Sequence, residues 1–392
     1  MATEVVPGYV IELAAFVAMA SIFALLSIAL NLQWGHTGLF NAGIAAFFAL
    51  GAYTTAILVT APEEPIPGVY PGHLGGFSQP FYVAVIAAAV VSGVVGLLIA
   101  IPTLRLRADY LAIATLGLGE AIRTYLTNDE PRTGGTYGIY GIPRLFAGMG
   151  LTTGQVEVLI ALVALLLLGF TVVGLEALGR TPWSRVLKAI REDEDAAELL
   201  GKDTFKHKLQ SFVIGCAIMG VAGSLFTVFF AFVEPVTSFR PLTTFTVWAM
   251  LVLGGSGNHR GAILGAFVFY SFEWIAVRVQ LLAGATGTIR VNEVALMAAV
   301  ALVETGILLV FLAWPRLRDR PVLFLGVSGL ILAIEIALFG SLLFVRLPVW
   351  IIERLAYIRL MAVGVILILL VLRRPQGVIP ERPLTVRRRQ AG

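Results

Sequence analysis

Long apolar runs separated by short polar breaks make up most of this chain, and one break differs from the others. It is a charged stretch from Gly179 to Lys208, set between two runs that carry almost no charge. Runs of about 20 apolar residues, rising 1.5 Å each, match the roughly 30 Å of hydrocarbon that a spanning helix must cross. On that measure spans are expected near Tyr9–Leu32, Gly38–Thr60, Phe81–Ile101, Tyr110–Leu126, Val156–Leu178, Leu209–Val233, Phe245–Gly255, Gly261–Leu281, Val294–Trp314, Val322–Val345 and Ile358–Leu372. The pattern predicts an all-α, polytopic membrane protein of about eleven spans. Two of them stand apart: Tyr110–Leu126 carries Glu120 and Arg123, and Phe245–Gly255 is too short to cross unaided, so each is a candidate broken or re-entrant helix held inside protein. Residues 1–281 read as a core that includes the charged stretch 179–208, residues 282–357 as an atypical insertion with two extra spans, and 358–392 as a final span with a basic tail.

Composition adds that no soluble catalytic domain fits: 58% of the residues are hydrophobic, 13% are charged, and the mean hydropathy is +0.90. The net charge of +4 does not point to nucleic acid, because the basic residues fall between or after the spans, where they orient helices. The loop Ala61–Pro80 has no Lys or Arg, whereas the charged stretch holds Arg180, Arg185, Lys188, Arg191, Lys202, Lys206 and Lys208. Placing that stretch, Arg316–Arg320 and the Arg-rich tail in the cytoplasm requires an outside N-terminus and an inside C-terminus, with Arg132 and Arg144 as exceptions. No Lys or Arg precedes the first apolar run, so the start does not read as a cleavable signal, and the lone Cys216 reads as a packed thiol.

Within the charged stretch, Thr181 followed by Pro182 predicts a hydroxyl-capped helix start. Trp183, Val186, Leu187 and Ile190 recur at helical spacing and form one apolar stripe, with Arg185, Lys188 and Arg191 projecting elsewhere. Asp193, Glu194 and Asp195 suit the first turn of a second short helix, and Gly201 supplies its stop. The result is a bent pair of short helices whose stripe needs a surface, either the headgroup layer or another protein.

Chemistry is sparse elsewhere. Glu120 and Arg123 are one turn apart and either pair or line a polar cavity. The histidines lack metal-ligand spacing, no carboxylate pair has a neighbouring nucleophile, and Leu199–Thr204 (LLGKDT) lacks the upstream glycine of a phosphate loop. We therefore expect no metal, no catalytic residue and no cofactor in the chain. The glycine-rich blocks around Gly35–Gly51 and Gly254–Gly265 permit close helix approach or broken helices, whose ends hold the charged groups of a zwitterion.

The run DAAELLG (Asp195–Gly201) is similar to the EAA signature of ABC-importer permeases, and four longer blocks extend the likeness: LNLQWGHTGLFNAGIAAFFALGAYT (Leu30–Thr54), LRLRADYLAIATLGLGEAIR (Leu104–Arg123), GRTPWSRVLKAIREDEDAAELLGKD (Gly179–Asp203) and VWAMLVLGGSGNHRGAILGAF (Val247–Phe267). With the ending IRLMAVGVILILLVLRRPQG (Ile358–Gly377), the chain resembles the branched-chain amino-acid permease family in its LivM-like branch. The resemblance implies a permease in the cytoplasmic membrane that works with a homologous second permease, two ATP-binding subunits and an extracytoplasmic solute-binding protein. ATP then belongs to the partner subunits. It also implies that the island docks on the ATPase, through Trp183, Val186, Leu187, Ile190, Asp195, Ala196, Ala197 and Gly201. Because an ionised carboxylate is costly in lipid, Glu120 and the helix around Thr115 are expected to face the protein interior, and Asn41, Thr115, Glu120 and Trp248 are the candidate substrate-pathway residues. Ile44 departs from the polar residue of many relatives, and Val294–Val345 has no counterpart. Urea or short-amide importers and, more distantly, sugar permeases share the scaffold; a secondary transporter is the alternative of another class, with an internal repeat and its own ion ligands as its marks.

Overall fold

The computed structural model describes residues 6–61, 72–146 and 149–286, together with Met361, Gly364, Ile368, Gly377, Ile379 and Glu381. Among them the architecture is all-helical: α1 Gly8–Leu30, α2 Ile44–Val59, α3 Phe81–Thr103, α4 Ala108–Asn128, the single turn α5 Glu130–Thr133, α6 Thr153–Gly179, α7 Pro182–Glu192, α8 Glu194–Leu199, α9 Thr204–Phe230, α10 Pro241–Gly254 and α11 His259–Thr286. A π-helical turn, Asn31–Gly35, continues α1. Among the described residues, four helices are long and apolar enough to cross a membrane: α1 with its π turn, α3, α6 and α9. The expected spans over 294–345 lie outside the described residues, as does most of 358–372.

The first helix is the central pillar. Beyond Glu12 in its second turn it carries no charge on any side, and Phe16, Ile22, Leu25, Leu26, Ile28 and Leu30 have no exposure, which is the pattern of a helix enclosed by others. Helices α6, α9, α10 and α11 pack around it, while α2, α3 and α9 form a second close-packed group. By contrast α3 and α6 expose Ile86, Val90, Leu98, Leu162, Leu166 and Phe170 along one side each, the faces that suit lipid.

Small residues set how closely these helices approach, as expected where the surroundings are as apolar as leucine. A Cβ on Gly51 of α2 would stand 2.1 Å from the carbonyl oxygen of Gly220 on α9, and one on Gly223 would stand 2.2 Å from that of Phe48. The contact is stitched by hydroxyls: Thr55 donates to Ser224 Oγ at 2.7 Å, and Thr227 to the Ala52 carbonyl at 3.0 Å. At the other crossing, a Cβ on Gly254 would meet the Gly261 oxygen at 1.9 Å, bringing α10 against α11.

Three expectations change in detail. The second apolar run is not helical from Gly38: α2 begins at Ile44, and residues 38–43 are irregular. Tyr110–Leu126 lies within one unbroken helix, α4, rather than a broken one. The run at Phe245 starts earlier, at Pro241, and remains a short helix of 14 residues. The exceptional Arg132 and Arg144 are each paired with a carboxylate, Asp129 at 3.0 Å and Glu157 at 2.9 Å.

Candidate functional site

The break between α1 and α2 is the most polar part of the core. Gly38 takes φ +77°, a backbone state that glycine reaches without strain, and the chain leaves helical geometry until Ile44. Orphan amides at the α2 N-terminus then need partners inside a dry bundle. They find side chains: Ala42 N–H donates to Thr115 Oγ1 at 2.9 Å, Gly43 N–H to Asn41 Oδ1 at 2.8 Å, and Ala45 N–H to Thr244 Oγ1 at 3.1 Å. Asn41 Nδ2 donates to Gln33 Oε1 at 2.9 Å, and Gln33 Nε2 donates to the Phe212 carbonyl at 2.9 Å. Trp248 Nε1 holds the Asn41 carbonyl at 3.0 Å while its ring stacks on Phe40, 4.2 Å between centroids.

Of the four residues expected in a substrate pathway, Asn41, Thr115 and Trp248 thus converge on this break, where their polar atoms hold its backbone. Glu120 lies close by. It lines a small hollow open to the surroundings together with Gly43, Ala46, Leu116, Phe239 and Thr244, and its carboxylate accepts from Arg123 one turn away, at 2.9 Å from Nε. A Cβ on Gly43 would come within 2.7 Å of the Thr115 carbonyl, so the absence of a side chain there keeps α4 against the break.

In the charged stretch the two short helices form as expected, with different side-chain allegiances. Pro182 occupies the first turn of α7, but the Thr181 hydroxyl does not cap it; it donates to the Leu178 carbonyl at 2.6 Å and closes α6 instead. Asp193 caps α8 by accepting from Ala196 N–H at 2.9 Å. Gly201, at φ +75°, ends α8 in a Schellman arrangement, with Lys202 N–H on the Ala197 carbonyl at 3.1 Å and Gly201 N–H on that of Glu198 at 2.8 Å. Leu187 (0% exposed), Ile190 and Ala197 are buried in the chain itself, and Trp183 packs partly against the core with Nε1 on Gln210 Oε1 at 2.8 Å. Val186 is half-buried, while Asp195, Ala196 and Gly201 are exposed. The stripe therefore faces the chain's own bundle. The apolar surface left outward is Leu199 and Leu200, 89% and 79% exposed.

Sequence patterning missed a polar node that links this stretch to the core. Asn31, in the π turn, accepts from Gly257 N–H at 2.8 Å and donates from Nδ2 to His259 Nδ1 at 3.1 Å. The His259 ring stacks on His36 at 4.5 Å between centroids, and His36 Nδ1 donates to the Asn31 carbonyl at 3.2 Å. Burial pushes His36 down to about 4, with the charge of Lys188 acting the same way and the bond to Asn31 opposing. From α7, Lys188 and Arg191 reach Glu381, each at 2.7 Å, and Arg191 also donates to the Gly35 carbonyl. Burial works against an ionised Glu381, but the bonds from Lys188 and Arg191 outweigh it and hold the carboxyl below its ordinary range. The sequence signal was a spacing of three between Lys188 and Arg191, with nothing to name their partner.

The depressed His36 sets a direction for acid stability. The unfolded ring, with an ordinary value of 6.5, takes up a proton before the folded ring does, so stability present above that value declines as the pH falls toward about 4. At pH 5 the loss from this group is about 2 kcal/mol. The thermal midpoint of detergent-solubilised protein should fall between pH 7.5 and pH 5, and His36→Gln should flatten that fall. An unchanged pH dependence in the variant would assign the acid lability elsewhere.

Among known proteins, the family described as "Branched-chain amino acid transport system / permease component" matches residues 13–280. Over 269 residues the chain is 35% identical to the high-affinity branched-chain amino acid transport system permease protein LivM of Salmonella typhimurium, covering 63% of this chain and 60% of that protein. It is 29% identical to a probable LivM of Methanocaldococcus jannaschii, covering 63% and 76%, and 25% identical to LivH of Escherichia coli, covering 64% and 80%. The match to the Salmonella protein therefore spans about three fifths of that relative's length. No solved structure matches.

Proposed function

Since the chain belongs to the branched-chain amino acid transport permease family, we propose that it is the membrane-spanning permease subunit of an ATP-driven importer of branched-chain amino acids. ATP hydrolysis sits on separate subunits, and a solute-binding protein outside the membrane delivers the substrate. Similarity to both LivM and LivH supports a homologous second permease as partner. The chain sits in the cytoplasmic membrane with about eleven spans, the start of α1 outside, α7 and α8 in the cytoplasm, and the C-terminus inside.

The observation that carries the coupling is the tip of α8. An exposed Leu199–Leu200 pair, on a helix fixed by its Asp193 cap and its Gly201 stop, projects from an otherwise charged surface. Two adjacent exposed leucines offer apolar area that a partner can bury, so we place ATPase docking on Asp195, Ala196, Leu199, Leu200 and Gly201. Trp183, Val186, Leu187 and Ile190 then anchor the island to its own bundle and transmit the push. Closure of the ATPases would move α7 and α8 as a unit and alter the hollow beside the α2 N-terminus, where Asn41, Thr115, Glu120 and Trp248 gather.

Reconstitution tests this directly. Vesicles holding this chain, its second permease and the two ATPases should accumulate leucine, isoleucine or valine only when ATP is enclosed and the binding protein is present outside. In the same orientation a reporter after Lys202 should read cytoplasmic. Uptake of urea or a sugar in place of these amino acids would overturn the substrate assignment, and ATP-independent uptake driven by a proton gradient would overturn the class.

A further inference from the structure

Five observations converge on one carboxylate. Glu381 sits between Lys188 and Arg191, one turn apart on α7, with 2.7 Å to each. Its backbone neighbours are stapled to the α10–α11 turn: Ile379 N–H donates to the Gly254 carbonyl at 2.9 Å, and Ile379 is buried. A Cβ on Gly377 would lie 2.4 Å from the Gly255 Cα, so the tail backbone lies directly on that turn. A Cβ on Gly257 would meet Glu381 Oε2 at 2.6 Å, so the carboxylate too touches the turn. Arg191 carries the contact onward by donating to the Gly35 carbonyl, in the π turn that ends α1.

From this geometry we infer that Glu381 is a positioning residue for energy coupling: a tail carboxylate that clamps helix α7 to the π turn of α1 and to the α10–α11 turn. The inference rests on the proposed docking of α7 and α8 on an ATPase. Leu187 and Ile190 bury α7 by apolar contact, which fixes its depth but lets it slide or rotate; the two charge-assisted bonds to one carboxylate add direction. Displacement of α7 is then passed to Gly35 and to Gly254–Gly257, which lie just before the irregular segment 38–43 and at the end of helix α10. Lys188 and Arg191 are the acting partners on the α7 side. Asn31 and His259 make the far side of the joint rigid, because both ends of the Asn31 amide are occupied.

The test is the number of amino acids moved per ATP hydrolysed in vesicles containing the whole complex. Glu381→Gln should leave ATPase co-purification near wild type and lower the thermal midpoint by only a few degrees, since the amide oxygen still accepts from Lys188 and Arg191, while lowering that ratio about tenfold, the usual size of a coupling free energy. Glu381→Lys should lower it at least as far, and Glu381→Lys combined with Lys188→Glu and Arg191→Glu should recover it in part, a rescue that a passive structural role would not give. A wild-type ratio in Glu381→Gln overturns the clamp, and so does a triple variant no better than Glu381→Lys, even where a single variant is poorly folded. A wild-type permease that binds no ATPase would instead overturn the docking on which the clamp depends.

Discussion

Replacing Gly51 by Val should eliminate the folded membrane core. The added Cβ alone would stand 2.1 Å from the Gly220 carbonyl oxygen and 2.5 Å from its Cα, both backbone atoms, so no rotamer change relieves the clash. Helix α2 would have to move away from α9, breaking the Thr55–Ser224 and Thr227–Ala52 hydrogen bonds that depend on the close approach. Overpacking a well-filled core commonly costs about 1–3 kcal/mol; here the displaced unit is a helix pair, and we expect more than about 3 kcal/mol, enough to unfold a marginally stable bundle. The measurement is the yield and thermal midpoint of detergent-extracted protein. Gly51→Ala should be milder than Val but still clearly destabilising, because the clash begins at Cβ. Wild-type yield and midpoint in Gly51→Val would mean that α2 and α9 do not cross at these glycines.

The second large effect belongs to the tip of the island. Leu199→Asp combined with Leu200→Asp should abolish ATP-driven uptake while leaving the permease folded, because both side chains are solvent-exposed and neither joins the core. Burial of a leucine is worth about 2 kcal/mol, and placing a carboxylate there adds a desolvation cost, so affinity for the ATPase should drop at least about a hundredfold. Co-purification of the ATPase and uptake in ATP-loaded vesicles should fail together, with the thermal midpoint of the isolated permease unchanged. Retention of both activities would make the leucines lipid anchors in the headgroup layer. Ala197→Arg is a poorer probe of docking, since Ala197 is packed inside the chain and the arginine would disrupt the joint between α8 and α9.

The parts of the fold governed by composition and period were legible in the sequence. Runs of apolar residues gave α1, α3, α6 and α9 within a few residues, and Pro182, Asp193 and Gly201 marked the ends of α7 and α8 because local chemistry decides where short helices start and stop. What escaped was allegiance. The stripe on α7 announced burial without saying against what, and it turned out to be the chain's own bundle. The irregular stretch 38–43 reads as apolar and continuous, since its departure from helix is stabilised by Thr115, Thr244 and Trp248, residues far away in sequence. The Thr181 hydroxyl had two carbonyl or amide partners within reach, and propensity alone cannot choose between capping α7 and closing α6. Glu381 lay beyond any local pattern because its role comes from folding the tail back by nearly two hundred positions onto α7.

The enclosure of α1 bears on how the protein is made. The helix that ends as the centre of the bundle precedes its neighbours α6, α9 and α11 in the chain, so they follow only after many more residues have been translated. It must wait for them in lipid, and the apolar surface it presents beyond Glu12 is what makes that wait tolerable. Beyond Glu12 near its start, the polar groups that would be costly there, Asn31 and Gln33, lie in the π turn at its far end, where Gly257, His259 and Phe212 later receive them. A charge or amide inserted midway along α1 would therefore penalise the nascent chain before any partner exists to receive it.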